Sequence, residues 1–203
     1  MQHTLEFFFD CSSPWTYLAF ESIFPLIEQA PVDVELVWKP ILVGGVFNSI
    51  NPSVYQNREN PVPAKARYYQ KDLQDWADYV GVSIGMPKVF PVNSVKAMRG
   101  ALLAMEEGRV VPYARCVFQH YWGALQDISD SSVLCSIAEE AGLDAESFLD
   151  RISDQYYKDL LRANTDELVR RGGFGSPTLF LNENDMYFGN DRLPLLKRKL
   201  HQA

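Results

Sequence analysis

Thr4-Leu5-Glu6-Phe7-Phe8-Phe9-Asp10-Cys11-Ser12-Ser13-Pro14-Trp15-Thr16-Tyr17-Leu18-Ala19-Phe20 carries an apolar run, a polar turn and a second apolar pattern in one stretch. Leu5 to Phe9 is short and aromatic, as a buried strand requires. Asp10 to Ser13 supply turn and cap residues. Ser13 followed by Pro14 is a helix start, with a hydroxyl at the N-cap and proline at the first helical position. The Ser13 hydroxyl is therefore expected where a strand ends and a helix begins, a place that favours anions through free N–H groups and the helix dipole. The plain alternative is that Ser13 only caps the helix.

Working outward, the helix continues through Leu18, Ala19, Ile23, Leu26 and Ile27, with Pro25 expected to kink it. Val32 to Trp38 alternates as a strand does, and strand–helix–strand order implies a parallel βαβ unit. Residues 40–63 hold Gly44, Gly45, Asn48, Asn51, Pro52, Asn57, Asn60, Pro61 and Pro63, which reads as a long irregular loop, either functional or a connector. A helical block follows. Tyr69, Leu73, Trp76 and Val80 repeat at helical spacing, as do Val95, Met98, Leu102 and Met105. Pro112 opens a third helix. Ser131 or Ser132 caps a fourth that Gly142 ends, and Asp144 and Ser153 cap two more, the last ending at Gly172-Gly173. Pro177 to Leu181 and Met186 to Phe188 form a hairpin about Asn182–Asp185, and Asn190-Asp191-Arg192 opens a closing helix.

The 203 residues are 47% hydrophobic and 22% charged, a composition of globular proteins. A net charge of −7 argues against a nucleic-acid or anionic-membrane partner, so an anionic ligand needs a local cation. Glu6 and Asp10 interrupt the first apolar run, so no signal peptide is expected, no run suffices to cross a bilayer, and a cytoplasmic location is the expectation. Cys11, Cys116 and Cys135 are odd in number and lack metal or CxxC spacing, so neither a disulfide framework nor a metal site is expected.

A βαβ half and a ββα half separated by helices, with Ser13-Pro14-Trp15-Thr16 at the first helix and Ser176-Pro177 before a late strand, resembles the thioredoxin fold in its DsbA-like branch. This makes the chain α/β, with residues 1–42 and 166–203 as a thioredoxin-like domain and 43–165 as an inserted helical domain. Phe174-Gly175-Ser176-Pro177-Thr178 looks like the fold's cis-proline segment. Phe188-Gly189-Asn190-Asp191-Arg192 looks like the closing motif of the family of 2-hydroxychromene-2-carboxylate isomerases and kappa-class glutathione transferases.

Hydroxyls stand at both thiol positions of the CxxC motif, Ser13 and Thr16, so disulfide exchange by this motif is excluded. Cys11 is two residues too early and reads as a buried structural thiol. The resemblance implies that Ser13 donates a hydrogen bond to the thiolate of glutathione, the expected cofactor. A serine nucleophile is the rival; it needs a general base, and His3, His120 and His201 sit in no motif. The resemblance further implies that Ser176 and Pro177 pair with the glutathione backbone, that Asn190 and Asp191 hold its γ-glutamyl end, and that Lys65 with Asn57 holds its glycyl carboxylate, with Asn60 and Asn51 as alternatives to Asn57. Arg192 is a further candidate there, or a partner for an acidic group. Trp15, Phe47 and Trp122 are candidates to wall an apolar pocket for a small aromatic or electrophilic substrate. A glutathione-dependent isomerase, a glutathione transferase and a non-catalytic thiol-binding protein all follow, the isomerase foremost, and the family implies a homodimer.

Overall fold

The computed structural model describes residues 2–202. Strand β1 (His3–Phe9) leads into helix α1 (Pro14–Glu28) and strand β2 (Val34–Pro40). Helices α2 (Val43–Ile50), α3 (Ser53–Glu59), α4 (Pro63–Val80), α5 (Val95–Glu106), α6 (Val110–Phe118), α7 (Ser131–Glu140), α8 (Ala145–Ser153) and α9 (Gln155–Arg170) follow, with a π-helical turn at Gln119–Gly123. Strands β3 (Thr178–Leu181) and β4 (Asp185–Phe188), a 3-10 turn at Asn190–Arg192 and helix α10 (Leu193–Leu200) complete the chain.

The four strands lie in the order β2-β1-β3-β4. β1 pairs parallel with β2, His3 opposite Val34, and antiparallel with β3, Leu5 opposite Leu181. This is the α/β thioredoxin-like arrangement that the order of elements predicts, with the helices α2–α9 between its halves. β1 is central, and its alternating side chains bury both faces. Phe7 and Phe9 pack edge-on against Trp38 over α1, whereas Phe8 meets Phe180 on the opposite face. Burying each ring contributes roughly 1.5–3 kcal/mol, which fixes the strand whose end carries the site. One continuous core joins this sheet to the helices, from Leu5 and Phe7 to Met98, Tyr113 and Phe148.

Four local expectations are corrected. Residues 40–63 are not an irregular loop but carry α2 and α3. Gly45 serves close packing: a Cβ there would meet Thr165 Cγ2 of α9 at 3.3 Å. α2 is also held from outside, because Val43 N–H donates to Asp10 Oδ2 at 2.9 Å and Leu42 N–H to Thr165 Oγ1 at 3.0 Å, contacts no local pattern announces. Asp130, not Ser131 or Ser132, caps α7 by accepting from Ser132 N–H. Asp154, not Ser153, caps α9, since Ser153 is the last residue of α8 and its hydroxyl donates to the Asp150 carbonyl. The carboxylates win both caps by standing one residue before the first helical turn. Asp144 caps α8 as expected. The third helix of the block starts at Val110, two residues before Pro112. No helix among the described residues is long and apolar enough to cross a membrane.

Candidate active site

The end of β1 and the head of α1 hold Ser13 in place. Ser13 is the N-cap, with extended backbone at φ −102° and ψ 123°, and Pro14 follows inside the first turn. Its Oγ accepts from Thr16 N–H at 3.3 Å and donates to the Ser176 carbonyl at 3.1 Å. The Ser176-Pro177 peptide is cis, as the resemblance implies. The Ser176 side chain is spent on the scaffold: its Oγ accepts from Asp10 N–H at 3.0 Å and shares a hydrogen bond with Thr16 Oγ1 at 2.8 Å. Thr16 is thereby buried against Ser176. Ser13 alone of the two replaced positions faces the open site.

Three adjoining hollows meet at this point. The first, about 620 Å³, lies over Ser13 and is lined by Trp15, Phe47, Phe90 and Phe174 among others. The second, about 520 Å³, shares Pro14, Arg58, Tyr69 and Phe90 with the first and brings Asn57, Lys65 and Trp122 together. The third, about 290 Å³, shares Trp15 and Ser176 with the first and gathers Pro177, Asn190, Asp191 and Arg192. Every site residue expected from the sequence, the alternatives to Asn57 apart, lines one of the three. Asn51 lines the first hollow rather than the second, and Asn60 lines none of them. Trp122 contributes from within the core: it is 2% exposed, and its Nε1–H donates to the Cys11 carbonyl at 3.0 Å.

Asn190 and Asp191 are not spent on capping. No side chain caps the 3-10 turn or α10. Asn190 is buried, and its Nδ2 has no hydrogen-bond partner among the described residues. A buried amide without a partner costs free energy unless a ligand satisfies it. Asp191 pairs with Arg192 at 2.5 Å, both side chains about half exposed. Gly189 permits this geometry: its φ is +96°, and a Cβ there would meet Asp191 Oδ1 at 2.7 Å.

Among the described residues, no titratable side chain hydrogen-bonds the Ser13 hydroxyl, whose partners are the Ser176 carbonyl and Thr16 N–H. No histidine lines any of the three hollows. His120 lies elsewhere, between Gln126 at 2.6 Å and Glu140 at 2.9 Å. The arrangement thus lacks what a serine nucleophile needs. Cys11 is fully buried, and burial first, then the neighbouring Asp10 charge, pushes its thiol well above the ordinary range. It is a poor source of thiolate.

Several contributors escape sequence reading. Asp10 looks like a turn residue, yet it is buried and its carboxylate accepts from Ser12 N–H, Val43 N–H and Ser94 Oγ at 2.9, 2.9 and 3.0 Å. Burial raises its pKa, opposed by these hydrogen bonds. The segment around a second cis peptide, Phe90-Pro91, closes the first hollow. Its aromatic-proline pair is the one signal that marks it. Arg58, Tyr69 and Asp72 carry no local signature.

A family model described as a DSBA-like thioredoxin domain matches residues 4–201. The chain is 30% identical to the 2-hydroxychromene-2-carboxylate isomerase of Pseudomonas putida, over 95% of this chain and 92% of that one. It is 29% identical to glutathione S-transferase kappa 1 of Rattus norvegicus, over 95% of this chain and 88% of that one. A solved structure of a 2-hydroxychromene-2-carboxylate isomerase superposes with a TM-score of 0.82 at 25% identity, covering 98% and 95% of the two chains.

Proposed function

We propose that this chain, which belongs to the DsbA-like thioredoxin-domain family, is a glutathione-dependent enzyme of the 2-hydroxychromene-2-carboxylate isomerase type. The observation that carries the reading is the Ser13 hydroxyl: it lies at the positive end of α1, opens onto a hollow and has no base beside it. Such a hydroxyl is suited to stabilise an anion, not to attack. Two enzyme groups among its relatives, one named as isomerases and one as glutathione transferases, support the same reading.

The residues present fit glutathione. The unpartnered Asn190 amide suits its γ-glutamyl carboxylate, and Asp191, with Asp72 across the same hollow, suits its ammonium group. Ser176 and Pro177 stand between that end and Ser13, where an extended peptide backbone would run. Lys65 and Asn57 suit the glycyl carboxylate from the second hollow. Glutathione, when bound, would supply a nucleophilic sulfur suited to reversible conjugate addition or to transfer onto an electrophile.

This chain's own contribution is to hold that sulfur ionised. Ser13 Oγ–H turns from the Ser176 carbonyl towards the sulfur, while Thr16 N–H keeps the oxygen in place. The helix start lowers the thiol pKa from roughly 8.5. Trp15 and Phe47 offer an apolar wall to the substrate, with Trp122 beyond them. The family resemblance adds a homodimer to the proposal. Calorimetry with glutathione tests the binding, and absorbance assays of conjugated aromatic substrates with and without glutathione test the chemistry. Isomerisation that needs catalytic glutathione supports the isomerase, consumption of glutathione supports the transferase, and no heat at millimolar glutathione overturns both.

A further inference from the structure

Asp10 lies wholly buried behind the hollow over Ser13 and ties its walls together. Its carboxylate accepts from Ser12 N–H, Val43 N–H and Ser94 Oγ–H, and its own N–H donates to Ser176 Oγ. All four of these residues line the hollow. Its carbonyl also accepts from Ser13 N–H at 3.1 Å. Asp10 therefore takes two N–H groups of the turn that a bound anion could otherwise use. Of the rest, Cys11 N–H goes to Met98 Sδ, Pro14 has none, and Thr16 N–H is held by Ser13.

The carboxylate also brings charge. Its partners among the described residues are neutral, so no ion pair there offsets it. Burial raises its pKa, and these three donors oppose the rise by favouring the ionised form. That charge acts on its titratable neighbours: after burial itself, it helps to push up the Cys11 thiol beside it and, with Asp127, the Tyr121 phenol. Ser13 follows Cys11 by two positions in the same turn. We infer that Asp10 is a positioning residue that tempers the site: it fixes the walls around Ser13, and by its charge and the donors it occupies it keeps a sulfur held there more basic than the helix start alone would. A thiolate stabilised too far loses nucleophilicity, so this balance suits a sulfur that must both ionise and react. The inference deepens the function proposed above and rests on it for the identity of the sulfur, but the coupling to Asp10 does not require glutathione.

The test first puts a thiol at the site by Ser13→Cys and follows its alkylation by iodoacetamide against pH, with peptide mass spectrometry to separate it from Cys11, Cys116 and Cys135. Adding Asp10→Asn is expected to lower the apparent pKa of the introduced thiol by about one pH unit, as removal of a nearby buried like charge implies. With Ser13 in place, Asp10→Asn should move the ionisation of bound glutathione the same way, read by ultraviolet absorbance against S-methylglutathione, and lower the rate at the alkaline plateau by about threefold. A purely structural role predicts weaker binding without a fall in pKa. Asp10→Ser, whose hydroxyl can still accept from Ser12 N–H, is a second neutral replacement and decides the matter if the asparagine variant does not fold. An unchanged or raised thiol pKa in a folded neutral variant overturns the inference. A wild type that binds no glutathione, while the thiol of Ser13→Cys still responds to Asp10→Asn, upholds it and removes the glutathione reading alone.

Discussion

The Ser13 hydroxyl donates to the Ser176 carbonyl at 3.1 Å, across a separation of 163 positions in the chain. The hydrogen bond joins the head of α1 to the cis-proline segment and leaves the donor on the rim of the hollow. It also shows how the hydroxyl waits: paired with a neutral acceptor that a ligand anion can outcompete.

Ser13→Ala should therefore keep most glutathione affinity and lose turnover. Removal of one charge-assisted hydrogen bond, about 1.5–3 kcal/mol, corresponds to a fall of roughly ten- to a hundredfold. Cys11→Ala should leave turnover near the wild-type value, since that thiol is buried with a raised pKa. Steady-state kinetics of the two variants decides between them; unchanged turnover in Ser13→Ala would assign the reactive group elsewhere.

Asn190→Ala should weaken glutathione binding by about tenfold or more while costing under about 1 kcal/mol of stability. The contrast arises because Nδ2 has no partner among the described residues, so its removal breaks no hydrogen bond made there. Calorimetry and a thermal melt on one variant measure both. A large loss of stability with intact affinity would mark Asn190 as scaffold.

The carboxyl of Asp10 titrates above the ordinary range because burial penalises its ionised form. An acid whose folded-state pKa is raised contributes stability that is full below the unfolded pKa of about 3.9 and is lost as pH rises through the folded pKa. The stability difference between wild type and Asp10→Asn should thus be largest at acid pH and shrink towards neutrality. Urea titrations between about pH 4.5 and 7.5 follow it, and a difference that grows with pH would contradict the assignment. At acid pH, where that difference is largest, the asparagine should cost about 1–3 kcal/mol if its amide turns an N–H toward that of Val43.

Gly100 of α5 leaves no room for a methyl group: a Cβ there would overlap the Tyr113 hydroxyl and meet Phe148 Cζ at 2.7 Å. Gly100→Ala should lower stability by about 1–3 kcal/mol despite the better helix propensity of alanine. Chemical denaturation measures the change, and a stabilised variant would refute the packing described for α5, α6 and α8.

The main elements were readable from the chain because they obey local rules. Leu5 to Phe9 and Ser13-Pro14 announce a strand and a helix start, and both stand where expected. α2 and α3 were hidden because Gly44, Gly45 and Asn51 speak locally for a loop, while Asp10, Thr165 and the face of α9 supply the order from outside. For the same reason the site was only half legible. Ser13, Ser176, Asn190 and Asp191 lie in motifs, so the resemblance reaches them. Arg58 and Asp10 matter through partners at distances along the chain that no periodicity records, such as Ser94 for Asp10 and Phe90 for Arg58.

The antiparallel pairing of β1 with β3 has a consequence for synthesis on the ribosome. Ser13 is made before the helical block, but the carbonyl that receives its hydroxyl, the antiparallel partner strand of β1 and Asn190 all follow α9. A nascent chain ending at α9 already carries Lys65, Arg58 and the whole helical block, yet its central strand has one open edge and its ligand site one missing wall. Such an intermediate exposes strand hydrogen-bonding groups that invite mispairing. Completion of the C-terminal hairpin is then the event that both seals the sheet and creates the binding site, so a truncated product is expected to be sticky and ligand-blind together.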